Sequence, residues 1–138
     1  MVENTHIKTE SDKPLPSAGA VAFKARPSLL LLNYEFPPLG GGAGRGTYNL
    51  ARELARKGYD VDVLTSRAPG QAKLEQVDGF TVHRVTSWRK GVHDCGFRGA
   101  FTFLLFAVPA FLRLTRDKNY LVLHYYFGLP TGMLQWLP

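Results

Sequence analysis

Apolar and polar positions along this chain fall into short continuous apolar runs separated by amphipathic stretches, a rhythm of strands and helices taken in turn. Ser28-Leu29-Leu30-Leu31-Leu32-Asn33 is apolar through its middle and of strand length, which fits a strand covered on both faces in a parallel sheet. From Thr47 to Lys57, the residues Tyr48, Leu50, Ala51, Leu54 and Ala55 recur at helical spacing. Arg52, Glu53, Arg56 and Lys57 lie between them, and Gly58 closes the run. Tyr59-Asp60-Val61-Asp62-Val63-Leu64-Thr65 then alternates as a second strand. The three segments make one strand-helix-strand unit, for which a right-handed crossover is expected.

A polar interval containing Pro69-Gly70 separates this unit from Gly79 to Val85, which alternates as a third strand introduced by the Asp78-Gly79 turn. The stretch from Thr86 to Gly96, with Trp88, His93 and Cys95, reads as a loop. Phe101 to Leu112 reads as an apolar helix, Tyr120 to His124 as a fourth strand, and Gly132 to Pro138 as the opening of another helix. The expected fold is α/β, a doubly wound and mostly parallel sheet. Ligands of such sheets sit beyond the carboxyl ends of the strands, so the turn after the first strand and the segment Tyr125 to Thr131 are expected to face one crevice.

That first turn carries chemistry. Pro37-Pro38-Leu39-Gly40-Gly41-Gly42-Ala43-Gly44-Arg45-Gly46-Thr47 joins an apolar strand to an amphipathic helix. Its glycines allow positive φ and close approach of a ligand, and the helix behind it would aim free N–H groups and its positive dipole end into the loop. Such a turn suits an anion, commonly phosphate; the alternative is a flexible connection that holds no ligand. Two better-known phosphate loops are excluded. Gly41 and Gly46 are followed by Thr47-Tyr48 where a P-loop needs a lysine, and no register gives the dinucleotide G-x-G-x-x-G, since Gly42 and Gly44 would need glycine at Thr47.

Composition narrows the picture further. With 138 residues, 45% of them hydrophobic, the chain has room for one core and one domain. Residues 1–27 hold Pro14, Pro16, Ser17, Gly19, Pro27 and scattered charges without a long apolar block, and read as a disordered leader rather than a signal peptide. A single cysteine, Cys95, allows no internal disulfide and fits a reducing compartment, with an inert thiol the simplest role. His6, His83, His93 and His124 are too dispersed to suggest a metal site.

The formal net charge of +6 is concentrated between Arg84 and Lys118, where Arg84, Arg89, Lys90, Arg98, Arg113, Arg116 and Lys118 face only Asp94 and Asp117. Inside this stretch lies the apolar block Phe101 to Leu112. Interrupted by Pro109, the block is too short to span a bilayer, which takes about 20 residues. Flanked by Arg98, Arg113 and Arg116, it either lies at an anionic membrane surface, with its arginines near phosphates, or covers the sheet as a core helix. Nucleic acid is not indicated, because the basic residues are not interleaved along one recognition helix and no binding signature is present.

Three stretches together support a resemblance. Asn33-Tyr34-Glu35-Phe36-Pro37-Pro38 with the glycine turn, Tyr48 to Thr65, and Leu123-His124-Tyr125-Tyr126-Phe127-Gly128-Leu129-Pro130-Thr131-Gly132 resemble, in order and spacing, the N-terminal domain of a GT-B glycosyltransferase of family 4. The resemblance runs from about Ser28 to the end of the chain. It implies an enzyme of two Rossmann-like domains that moves a sugar from a nucleotide-sugar donor to an acceptor glycan or lipid with retention, the donor being substrate and no cofactor being required.

It further implies that residues 28–138 are part of the acceptor-side domain, and that its remaining strands and the donor-binding catalytic domain lie outside this sequence. The fragment alone would then lack turnover, and no residue of it is assigned a catalytic role. Gly41, Gly42 and Gly44 correspond to the loop that faces the donor diphosphate, while Arg45, His124 and Tyr126 fall in the acceptor cleft. Two places depart from the pattern: Gly44-Arg45-Gly46 stands where relatives often have Glu-Arg-His, and a similar subgroup with glycine at the first of these positions tends to have small or amide residues where Arg45 stands. Tyr126 stands where many have a second histidine, so a neutral phenol replaces an imidazole there. A cytoplasmic location is implied, at the inner face of a membrane if Arg98, Arg113 and Arg116 dock there, and a separate chain could supply the second domain. Two other classes fit the same residues: a non-catalytic module for phosphate or anionic lipid, and a flavodoxin-like protein.

Overall fold

The computed structural model describes residues 25–88 and 97–137. The leader and the histidine and cysteine at positions 93 and 95 therefore lie outside the described residues, except for Arg26 and its two neighbours. Among the described residues five strands form one sheet: β1 (Ser28–Leu32), β2 (Asp60–Arg67), β3 (Leu74–Val77), β4 (Phe80–Thr86) and β5 (Tyr120–Tyr125). Their order is β3-β4-β2-β1-β5, parallel throughout except for the antiparallel β3–β4 pair. Helix α1 (Gly42–Arg56) connects β1 to β2, and helix α2 (Phe97–Asp117) leads from β4 to β5. A short 3-10 turn, Thr131–Trp136, follows β5.

Strand β1 lies between β2 and β5 and is buried from Leu29 to Leu32, in keeping with its unbroken apolar run. Its alternate side chains feed two cores. Leu29 and Leu31 face the α1 side with Phe36, Ala51, Val61, Val63, Phe80 and Val82. Leu30 and Leu32 face the α2 side with Leu64, Phe103, Ala107, Phe111 and Leu114. The two helices thus cover opposite faces, the doubly wound arrangement expected from the sequence.

Three elements differ from the sequence expectation. Helix α1 begins at Gly42 rather than Thr47, so Gly42, Gly44 and Gly46 are helical, and of the glycines in the turn only Gly40 has a positive φ, +84°. The buried Asn33 accounts for this early start. Its Nδ2 donates to Thr47 Oγ1 at 2.6 Å and to the Ala43 carbonyl at 3.3 Å, while its Oδ1 accepts the Glu35 amide at 2.9 Å, which pins the first turn of the helix to the end of β1. Strand β3 is an added element: a short edge strand with three exposed residues, it has little apolar signal. The Asp78-Gly79 turn, with φ of +44° and +88°, makes it one arm of a hairpin with β4.

Helix α2 is the third. It runs 21 residues, well beyond the apolar block, and the segment Arg98–Asp117 is long and apolar enough by length and composition to cross a bilayer, although Phe103, Ala107, Phe111 and Leu114 pack it onto the sheet. Pro109 is accommodated inside it, on the exposed side.

A charged cluster ties the amino ends of the strands together. Asp62, largely buried on β2, accepts from His83 Nε2 at 3.0 Å, Lys118 Nζ at 2.6 Å and Tyr120 Oη at 2.8 Å. Lys118 also reaches Asp60 at 2.6 Å. Burial alone would push the Asp62 carboxyl upward, but the three donors and the Lys118 charge outweigh it and hold the group at about 2.

Candidate functional site

The carboxyl ends of β1 and β5 open into a crevice of about 250 Å³ lined by Tyr34, Glu35, Ala100, Phe127, Leu129 and Pro130. The turn after β1 and the segment after β5 therefore share one concavity. Their proximity follows from the sheet order, since β1 and β5 are neighbours with Leu32 opposite Tyr125, and the Tyr126 amide donates to the Leu32 carbonyl at 2.9 Å.

On the β1 side, Gly41 is the N-cap of α1 and no side chain caps the helix. Its own amide donates to Glu35 Oε2 at 3.2 Å, and the amides of Gly42, Ala43 and Gly44 form the first turn behind it. A Cβ at Gly41 or Gly42 would meet nothing within 4 Å, so these two positions leave the helix mouth open to a ligand. Gly40 and Gly44 serve the backbone instead. A Cβ on Gly40 would come within 2.5 Å of Glu35 Cβ, and one on Gly44, which is buried, would lie 3.2 Å from the Leu39 carbonyl oxygen. The arrangement offers oriented N–H groups and a positive dipole end to an anion, with the Glu35 carboxylate as the resident negative group.

Glu35 is a site residue that its type alone did not single out, because its role depends on the tight turn that carries it back to Gly41. Replacing it, Glu35→Gln, removes the competing charge. Inorganic pyrophosphate should then bind this protein about threefold more tightly, as read by calorimetry or by phosphorus NMR, given the modest strength of a carboxylate at a helix terminus.

On the β5 side, Phe127 has φ +68°, a conformation that costs a bulky side chain of order 1 kcal/mol, and the residue is 52% exposed at the crevice. The backbone is held there from the following turn. Thr131 Oγ1 donates to the carbonyls of Tyr126 and Phe127, and the Gly132 amide donates to the Phe127 carbonyl at 3.1 Å. Glycine at 132 relieves this point, since a Cβ would stand 3.0 Å from that backbone oxygen and force it to shift. Such strain is a feature of ligand-facing turns.

The remaining sequence candidates are spread around this crevice. His124 and Tyr126 lie one above the other on the α1 side of β5, ring centroids 4.6 Å apart, and are not among the residues lining the concavity. Arg45 is exposed on α1 and lines a separate concavity of about 320 Å³ with Pro37, Tyr48 and Asn49. Arg98, Arg113 and Arg116 are exposed on α2. Among the described residues no group of three His, Cys, Asp or Glu side chains is placed to hold a metal ion.

A family model described as glycosyl transferase 4-like domain matches residues 41–138. No curated protein sequence matches the chain. Among solved structures, sucrose-phosphate synthase from Thermosynechococcus elongatus superposes with a TM-score of 0.63 at 22% identity, covering 80% of this chain and 29% of that one. A second solved chain of sucrose-phosphate synthase from the same organism gives a TM-score of 0.56 at 19% identity, with 79% of this chain and 55% of that one covered. At these identities the likeness is one of fold: a five-stranded, mostly parallel sheet that matches a Rossmann-like half of a GT-B enzyme. This chain spans 29% and 55% of the lengths of the two neighbours.

Proposed function

We propose, from the premise that this chain belongs to the family of glycosyl transferase 4-like domains, that it is the acceptor-side half of a retaining glycosyltransferase using a nucleotide-sugar donor. The observation that carries this reading is the start of α1 at Gly41 and Gly42, where the N-cap has no side chain of its own and which lies at the same carboxyl edge of the sheet as the crevice formed with Phe127, Leu129 and Pro130. When a sugar leaves its diphosphate, negative charge grows on the leaving oxygens. Backbone N–H groups already aimed at that place stabilise it without reorganising. The crevice beside them, with the Phe127 ring and the Tyr34 and Glu35 side chains, would seat the acceptor.

The surface around β5 agrees with a larger whole. Leu121, Val122, Phe127, Leu129, Met133 and Trp136 are between 47% and 84% exposed, and β5 pairs only with β1 among the described residues. An unpaired edge beside exposed apolar side chains is a place for further strands and for a second domain, on the same polypeptide or on another. That second domain would supply the donor nucleotide site.

The test is sugar transfer. Protein produced from the native locus, with any partner that co-purifies, is offered a panel of nucleotide sugars, and the anomeric configuration of the product is read by proton NMR. Release of the nucleotide diphosphate coupled to formation of a new glycosidic bond of the donor's anomeric configuration is the expected result. Purified residues 1–138 alone should give no turnover. Transfer by that chain alone would contradict the half-enzyme reading, and inverted product would contradict the mechanism.

A further inference from the structure

The structure assigns a second surface, distinct from the crevice: we propose that the outward face of α2 docks at an anionic phospholipid bilayer, with a headgroup phosphate held between Lys73 and Arg113. A helix whose only task is to cover a sheet hides its apolar residues, and α2 does so on one side through Phe103, Ala107, Phe111 and Leu114. Its other side is apolar as well. Phe101 and Leu105 are each 60% exposed and Phe106 43%, with Pro109 exposed one turn further on, so that one stripe along the helix meets solvent with aromatic and aliphatic groups. Trp88 extends this stripe. Its amide donates to Thr102 Oγ1 at 2.9 Å, which places it beside the second turn of α2, and its side chain is 72% exposed. An exposed indole at the margin of an apolar patch is the side chain that membrane–water interfaces favour.

The charges around the stripe select the partner. Arg98 stands at one end, Arg113 and Arg116 at the other, all three exposed, and no acidic residue occurs on α2 before Asp117. Among the described residues none of these arginines has a carboxylate within 4 Å, whereas Arg84 nearby is neutralised by Glu75 at 2.6 Å. Between α2 and the β3–β4 hairpin runs a groove of about 430 Å³ lined by Lys73, Leu74 and His83 on one wall and by Phe106, Pro109 and Arg113 on the other. Besides Arg84, which Glu75 neutralises, it combines Lys73 and Arg113, neither paired with a carboxylate among the described residues, with an apolar wall, which is the chemistry of the boundary between a phosphate headgroup and its acyl chains.

A second copy of this chain fits the face less well. Antiparallel pairing through α2 would set Arg98 of one copy against Arg113 and Arg116 of the other, and parallel pairing would set each arginine against itself. A bilayer rich in phosphate diesters meets all of these charges with opposite ones. The helix, about 30 Å long at 1.5 Å per residue, would lie along the surface and remain packed on the sheet. The α1 side of the sheet would face away from the membrane.

The experiment is vesicle co-sedimentation of the full chain, using phosphatidylcholine alone and phosphatidylcholine with about one third phosphatidylglycerol, a composition whose surface attracts basic groups. Binding to the anionic vesicles only, with a blue shift of Trp fluorescence, is expected. The double change Lys73→Glu and Arg113→Glu should weaken it by at least about tenfold. Lys57→Glu, on the exposed end of α1 across the sheet, should leave it within about twofold, a change too small to count as loss of a docking charge. Both sets of substitutions are at exposed positions, and circular dichroism checks that each variant keeps the fold. Equal binding to neutral vesicles, no binding, or an effect of Lys57→Glu as large as that of the groove pair would overturn the proposal. So would a dimer in sedimentation equilibrium that Leu105→Arg dissolves, since the face would then belong to self-association.

Discussion

Asp62→Ala is expected to destabilise the fold by about 3 kcal/mol at neutral pH, because it strips a largely buried carboxylate from three donors at once and leaves Lys118 and His83 facing a void. The residual partner of Lys118, Asp60 at 2.6 Å, keeps the loss at the lower end for a broken buried pair. The same group sets an acid limit. Its carboxyl is held at about 2 in the folded protein against an ordinary value of 3.8 for the unfolded chain, so the folded state favours the ionised form. That contribution, about 2 kcal/mol, is fully present above about pH 4 and is lost as pH falls toward 2. Urea unfolding of the natural chain should therefore show a falling midpoint between those values. The Asp62→Ala variant, already weaker at pH 7, should lack this component of the fall.

Gly42→Asp should act in the opposite sense on stability and activity. A Cβ at Gly42 meets nothing within 4 Å, and α1 has no acidic residue in its first turn, so an aspartate there fits the space and improves the helix dipole. The thermal midpoint should hold or rise. Sugar transfer by the enzyme from the native locus should instead fall by about a hundredfold in kcat/KM, since the new carboxylate takes up the donors that the leaving diphosphate needs and repels it. Gly46→Asp, in the same helix and equally open, is the control. Equal losses in both variants would show that the helix mouth has no special role.

The sheet was legible because its strands are written plainly. The leucine run at Ser28–Leu32 has the length and the unbroken apolar character of a buried strand, and the alternation at Phe80–Thr86 follows the pleat, whereas Asp60–Arg67, which alternates at its start, is buried on both faces. Strand β3 was not legible, since Leu74-Glu75-Gln76-Val77 is paired on one side only and has almost nothing to bury. The start of α1 was hidden by its glycines, each of which disfavours helix by roughly 1 kcal/mol relative to alanine. What overrides that preference is a tertiary bond, from Asn33 to Ala43 and Thr47, and no local pattern shows it.

The site was half legible. The glycines at 41 and 42, singled out in the sequence as a candidate anion turn, lie at the N-cap of α1 with open space around them. Glu35 and Phe127 were visible only as members of a family pattern, because their placement depends on a carboxylate folding back onto the Gly41 amide and on a positive φ at an aromatic residue. The basic flanks of the apolar block pointed to a surface. Which side of α2 faces outward was settled by packing, with Phe103 and Ala107 inward and Phe101 and Leu105 outward.

The most direct measurement is an amide NMR titration of this chain with inorganic pyrophosphate. A helix mouth built for a leaving diphosphate requires saturable shifts at Gly41, Gly42 and Ala43, with smaller ones at Phe127 and Gly128 across the crevice. Amides at these positions that stay unmoved, while those near Lys73 and Arg113 or elsewhere on the surface shift, would contradict it.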